Sequence, residues 1–356
     1  MIEVKIDRPM DIDNEVLTAL KCVKVFQIRN LNVKDGGYEA GDPVTGEVVL
    51  VTSKEIKCRA FLASFSGAVH TEWYRTRYSG HSNDSHTEWY RGYEKIIEDC
   101  TMFNGQGIIA PGQYLHKFAF RFPKMCPASF GGPYGGISYI LKVKIDRPMA
   151  VDNEVTTALI CKGTLNLNML PPVLAQPAEV HGMDEFGSCC CKDGRVRISA
   201  SIPKIGYALG ENVEMQIHVE NYSSKPIVML AANILENAMY TAYYEGSAGY
   251  MMLGGCGQLE RNTSTKPVLS ANMVVNIMPQ TQQKVAFVFL IPKIVAPQVN
   301  CSLIRTEHLL ELCVKRSDGK SASACTLPMT IGTVPLTRKN QKPDATGDSN
   351  EVAPPP

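Results

Sequence analysis

The sequence predicts an all-β protein of two tandem immunoglobulin-like β-sandwich domains. Three observations point there. Strand-period patterns recur along the chain, turn residues separate them at short intervals, and no segment carries a long, capped pattern of helical period. At 356 residues the chain is long enough for two domains, each burying its own core.

Residues 1–22 open with a segment that recurs. Residues 4–22 (VKIDRPMDIDNEVLTALKC) return at 143–161 as VKIDRPMAVDNEVTTALIC, differing only at Asp11/Ala150, Ile12/Val151, Leu17/Thr156 and Lys21/Ile160. His70–Arg75 (HTEWYR) returns unchanged at His86–Arg91. A solenoid needs three or more copies of a regular period. These single, interleaved copies of different length read as local duplication or an error in the predicted coding sequence. The other reading is an added edge strand that mimics 139–161 and competes for its slot. Residues 1–22 are expected to be a duplicated or displaced strand segment.

Residues 23–165 read as the first sandwich, punctuated by the turns Asp35-Gly36-Gly37, Ala40-Gly41-Asp42-Pro43 and Ala110-Pro111-Gly112. His70, His81 and His86, with Trp73 and Trp89, are expected in a polar aromatic loop region between strands. That region serves either as a recognition loop or as a duplicated hairpin covering the sandwich. Gly131-Gly-Pro-Tyr-Gly-Gly136 and Gly105-Gln-Gly107 lie between strand patterns, where glycines serve turns and close packing rather than phosphate binding. Pro148 ends a strand, because proline cannot donate to a ladder. The adjacent Asp146 and Arg147 are expected to be solvated and locally paired.

Residues 166–194, with Pro171-Pro172, Pro177 and Gly187-Ser-Cys-Cys-Cys191, read as a connector. The second sandwich is expected over 195–336. Val196–Ile202 and Val213–Val219 alternate with period two, each offering one apolar face to a core. Val285–Ile291 and Leu309–Val314 are continuous enough to suit strands buried on both faces. Residues 337–356 are polar and are expected to be a disordered tail.

Lys and Arg number 36 against 35 Asp and Glu, a net charge of +1, so no global field recruits nucleic acid or acidic lipid. No run approaches the ~20 apolar residues of a membrane span. The first residues carry charge where a signal peptide would be apolar, so the protein is expected in the cytosol. Its 12 cysteines then read as thiols rather than a disulfide framework.

Several segments, in order, resemble the arrestin-domain family, particularly its α-arrestin branch. They are Tyr38–Leu50, Ala110–Phe122, Pro127–Tyr139, Ile145–Pro148, Ile202–Glu211, Asn300–Ile304 and Ile331–Leu336. The resemblance runs over about 23–336 and implies an adaptor without an active centre. Such a protein is recruited to the plasma membrane or endosomes and links membrane-protein cargo to endocytic or sorting machinery. Its expected partners are cytosolic tails of membrane proteins, and the basic candidates for meeting acidic or phosphorylated tails are Lys24, Arg29, Lys54, Lys57 and Arg59. The alternative is a structural subunit of an endosomal coat, similar to the arrestin-fold retromer component. Many α-arrestins carry Pro-Pro-x-Tyr motifs that recruit ubiquitin ligases. Here Pro354-Pro355-Pro356 has no following Tyr, leaving action without a ligase, recruitment through a partner arrestin, or truncation.

No nucleophile elbow, phosphate loop, dinucleotide fingerprint or His-Glu-x-x-His stands in the sequence, so no enzyme activity and no cofactor are expected. Cys189, Cys190 and Cys191 with nearby His181 form the sharpest metal candidate, but adjacent cysteines do not readily chelate one tetrahedral ion. Inert connector residues, or thiols open to oxidation or acylation, fit that cluster better.

Overall fold

A computed structural model describes residues 22–34, 36–78, 85–186, 194–245, 259–293 and 295–337. Within them the regular elements are strands and two short 3-10 turns, Leu167–Met169 and Pro172–Ala175. The duplicate at residues 4–21, the Cys189–Cys191 cluster, His81 and the tail beyond Thr337 lie outside the described residues.

The first half is β1 (Val23–Arg29), β2 (Pro43–Thr52), β3 (Ile56–Cys58), β4 (Ala60–Tyr78), β5 (Ser85–Asn104), β6 (Gly107–Ile109), β7 (Gly112–Arg121), β8 (Phe130–Gly132), β9 (Gly135–Asp146) and β10 (Asn153–Leu159). A three-stranded sheet β1-β2-β7 shares one core with the run β10-β9-β4-β5. Val44, Val48 and Leu50 of β2 and Phe118 and Phe120 of β7 meet Phe61, Phe65, Leu141 and Val143 from the other sheet. The later copy of the long repeat forms the end of β9, the turn with Pro148, and β10. There Asn153 stands opposite Ile145, and the register runs unbroken to Leu159 opposite Tyr139.

The second half is β11 (Ala178–Glu185), β12 (Arg195–Ile202), β13 (Gly206–Ala208), β14 (Asn212–Asn221), β15 (Ile227–Tyr244), β16 (Leu259–Ile277), β17 (Thr281–Leu290), β18 (Ile304–Arg316) and β19 (Ser321–Gly332). The sheet β11-β12-β14-β17 faces β16, β15, β18, β19 and β13 across a second core. β11 falls inside the segment expected as connector. Its burial alternates along Ala178–Glu185, the signature of a strand with one face toward a core. β17 also differs from expectation: Phe287 and Phe289 are buried, but Val288 and Leu290 are exposed. Any strand of a two-layer structure has only one covered face, so an apolar run there does not imply burial on both sides.

The two halves do not remain separate sandwiches. β15 pairs with β18 as far as Tyr240, and then Tyr243 and Tyr244 pair with Arg91 and Tyr90 of β5. Hydrogen-bonded strands therefore continue from β10 across to β13. β15 passes from one core to the other: Leu230, Ala232 and Ile234 lie in the second, and Ala238, Tyr240 and Ala242 in the first.

Candidate functional site

Four of the five basic candidates gather at one end of the first half. Among the described residues β1 pairs only with β2, so its other edge carries no strand from them. Lys24 sits where the register with β2 slips, between Val23 and Val25. Ser53 N donates to the Cys22 carbonyl at 2.8 Å, which brings the turn carrying Lys54 beside the start of β1. Thr52 Oγ1 donates to the Lys54 carbonyl at 3.0 Å and holds that turn. Lys57 stands on β3 opposite Ile108, and Arg59 lies just beyond it. All four are exposed.

Arg29 does not join them. It is at the far end of β1, opposite Glu47, about 17 Å from Lys24 at ~3.3 Å per residue. Arg59 is compensated, because Asp146 Oδ1 accepts from its Nε at 3.0 Å and from a terminal nitrogen at 2.5 Å. Asp146 thus pairs with a residue 87 positions away rather than with a sequence neighbour, and both side chains reach solvent. Lys24, Lys54 and Lys57 have no carboxylate partner among the described residues. They are the residues of the set that present uncompensated charge.

The joint between the halves is a second convergence, and the sequence reading missed it. His70–Arg75 and His86–Arg91 are strand rather than loop and form the duplicated hairpin, the second of the two expected readings. The copies pair with each other: Glu72 with Arg91, Trp73 with Tyr90, Tyr74 with Trp89, and Arg75 with Glu88. Trp73 and Tyr90 are buried and stacked, with centroids 6.0 Å apart. Tyr74 and Trp89 face solvent. Arg91 bridges Glu72 at 2.9 Å and Glu245 of the second half at 2.7 Å. Arg75 reaches Glu260 on β16 at 3.3 Å, and Thr71 Oγ1 donates to the Thr241 carbonyl at 2.7 Å.

The glycine-rich segment serves the same joint. A Cβ on Gly132 would stand 1.9 Å from Tyr240 Oη, and Gly135, at φ +149°, would place one 2.2 Å from the His70 carbonyl oxygen. Only glycine permits that approach. Tyr134 then packs edge-on against both Trp73 and Tyr240. Two signals could have found the joint: the order Glu-Trp-Tyr-Arg complements itself when antiparallel, and the glycine cluster marks close backbone contact.

Where the cores meet, β15 and β18 carry buried polar groups. Glu236 lies opposite His308 on one side and Lys266 on the other. Lys266 Nζ is 3.1 Å from Glu236 Oε1, while neither ring nitrogen of His308 has a hydrogen-bond partner among the described residues. Burial, aided by Lys266, pushes the His308 pKa down to about 4 and keeps the imidazole neutral. His181 lies on β11 and is exposed, with Nδ1 2.8 Å from Ser199 Oγ. Among the described residues no three His, Cys, Asp or Glu side chains converge as a metal site, and no helix is long and apolar enough to cross a membrane.

Comparison with known families matches the two halves separately. Arrestin (or S-antigen), N-terminal domain, matches residues 26–168, and Arrestin (or S-antigen), C-terminal domain, matches residues 192–336. The chain belongs to the arrestin-domain family. It is similar to arrestin domain-containing protein 1 of Rattus norvegicus, 26% identical over 322 residues, which cover 90% of this chain and 66% of that protein. It is also similar to arrestin domain-containing protein 4 of Homo sapiens, 26% identical over 320 residues, covering 85% of this chain and 69% of that one. Arrestin domain-containing protein 17 of Caenorhabditis elegans is 29% identical over 206 residues, 54% of this chain and 47% of that one. This arrestin-domain chain spans about two thirds of the length of the first two.

Proposed function

We propose that the chain is a non-enzymatic adaptor of the α-arrestin branch, linking cytosolic tails of membrane proteins to endocytic or endosomal sorting machinery. The observation that carries this reading is the edge of β1 that pairs with no described strand, beside Lys24, Lys54 and Lys57. An extended tail adding to β1 gains main-chain hydrogen bonds, and nearby lysines favour acidic or phosphorylated side chains. The joint supports the same reading, since ion pairs and a shared strand ladder let the two halves present one platform. A ubiquitin ligase reached through a partner protein belongs to the same reading.

The test combines binding and cell biology. Synthetic acidic phosphopeptides are titrated against the full chain and against a Lys24→Glu, Lys54→Glu, Lys57→Glu variant. If each exposed contact is worth about 0.5 kcal/mol, the triple variant binds roughly tenfold more weakly. In cells, deletion should raise surface levels of particular receptors, and proximity labelling should recover receptor tails with endocytic proteins. Unchanged peptide affinity together with unchanged surface levels of every candidate receptor would overturn the reading. A constant set of coat subunits would favour a structural coat role instead.

A further inference from the structure

Two thiols face each other inside the first half. Cys126 and Cys161 are 35 residues apart in sequence, yet their Sγ atoms are 3.5 Å apart. Cys161 follows β10 and bridges to Tyr38, while Cys126 lies in the segment between β7 and β8. The backbone on both sides is pinned. Ser129 N donates to the Cys161 carbonyl at 2.8 Å, Cys161 N donates to Ser129 Oγ at 2.9 Å, and Tyr139 Oη donates to the Pro127 carbonyl at 2.8 Å. The sulfurs are therefore held at contact by the fold. Elsewhere among the described cysteines, the Cys58 and Cys301 thiols meet backbone carbonyls, and Cys100 is exposed. Cys126 keeps 8% of its surface and Cys161 keeps 1%.

We propose that Cys126 and Cys161 are a dithiol that hydrogen peroxide converts into an internal disulfide, tying the segment between β7 and β8 to the end of β10. The unequal exposure assigns the order of events. Cys126, the more exposed residue of the two, attacks as thiolate on one peroxide oxygen. The O–O bond breaks, hydroxide leaves, and the proton lost by Cys126 converts it to water. The resulting sulfenic acid is then attacked at sulfur by Cys161. The S–O bond breaks, the S–S bond forms, and a second water leaves carrying the Cys161 proton. Two thiols lose two electrons and two protons, and one peroxide becomes two waters. The contact with Cys161 also favours the Cys126 anion, lowering its pKa by hydrogen bonding to its sulfur. Closing the sulfurs from 3.5 Å to a bond of about 2 Å moves each by under about 1 Å.

The folded, full-length chain is treated with hydrogen peroxide, remaining thiols are alkylated under denaturing conditions, and peptides are mapped without reduction. The expected product is a Cys126–Cys161 linked peptide, with loss of two hydrogens from the intact mass. A cross-link also restricts the unfolded chain, so the urea midpoint should rise on oxidation and return with dithiothreitol. Cys126→Ser should abolish both changes, and Cys100→Ser should leave both. The wild-type map needs no variant to fold. The proposal is overturned if oxygen is found on Cys100 while Cys126 and Cys161 are recovered alkylated, or if the link appears only after denaturant is added.

Discussion

Arg91 Nε donates to Glu72 Oε2 at 2.9 Å across the β4–β5 hairpin, and each residue comes from a different copy of one six-residue sequence. Antiparallel strands run past each other in opposite directions. A segment ordered Glu-Trp-Tyr-Arg therefore meets its own copy as Glu–Arg, Trp–Tyr, Tyr–Trp and Arg–Glu. Charge meets opposite charge and ring meets ring, which are favourable cross-strand pairs. The symmetry breaks where the second half approaches: Arg75 reaches Glu260, and Glu88 accepts from Arg77 instead.

The register also makes identical residues unequal, because Trp73 and Tyr90 share one face of the hairpin while Tyr74 and Trp89 share the other. Trp73 is buried against Tyr90 and Tyr134, whereas Trp89 packs with Tyr74 on the exposed face under the Arg91 guanidinium. Trp73→Ala is expected to cost about 3–5 kcal/mol in urea unfolding. Trp89→Ala should cost about 1 kcal/mol, since it loses mainly a ring contact and a cation–π contact. Equal losses would show that the two copies share one environment.

Gly132 and Tyr240 join the halves by close approach. Gly132→Ala should destabilise the protein by about 1–3 kcal/mol through overpacking. Tyr240→Phe removes the nearest atom but leaves Cζ 2.9 Å from that Cβ, so the double variant should recover part of that loss. A double-mutant cycle by chemical denaturation measures the recovery; simple additivity would locate the cost elsewhere.

Arg91 is half-exposed, so its contacts with Glu72 and Glu245 are expected to be modest. A cycle of Arg91→Ala against Glu245→Ala should give a coupling of about 0.2–1 kcal/mol, shrinking as salt is raised from 0.05 M to about 1 M. A coupling that ignored salt would point to packing by the arginine stem.

His308 predicts a pH dependence. Its folded pKa of about 4 lies below the usual ~6.5 of an unfolded histidine. Above that range the ring is neutral in both states and contributes no pH dependence. Between pH 6.5 and 4 the unfolded chain binds a proton that the folded chain does not. Stability should therefore fall as pH falls, by up to about 3 kcal/mol across the window. Glu236 on β15 stands opposite His308 and Lys266 on β16 stands beyond it, so a His308→Leu variant made with both intact isolates the imidazole. Its stability should be flatter from pH 6.5 to 4 than that of the wild type, as read from urea midpoints.

Local pattern was enough for much of the fold. Alternation along Val196–Ile202 and Val213–Val219 gave β12 and β14 their buried faces, because successive strand side chains point to opposite sides whatever lies beyond. Ordered motifs from Tyr38 to Leu336 carried the family. Glycines at 131–136 signalled close packing, although not what packed there. Tertiary structure alone decided the rest, since it depends on which strands become neighbours. Val288 and Leu290 are exposed because they point to the outer face of the sheet β11-β12-β14-β17, which no second layer covers. Asp146 finds Arg59 across 87 residues, Lys24 parts from Arg29 along β1, and Cys126 meets Cys161. Period and composition fix the face a side chain points to; the long-range register of the sheets fixes what it meets there.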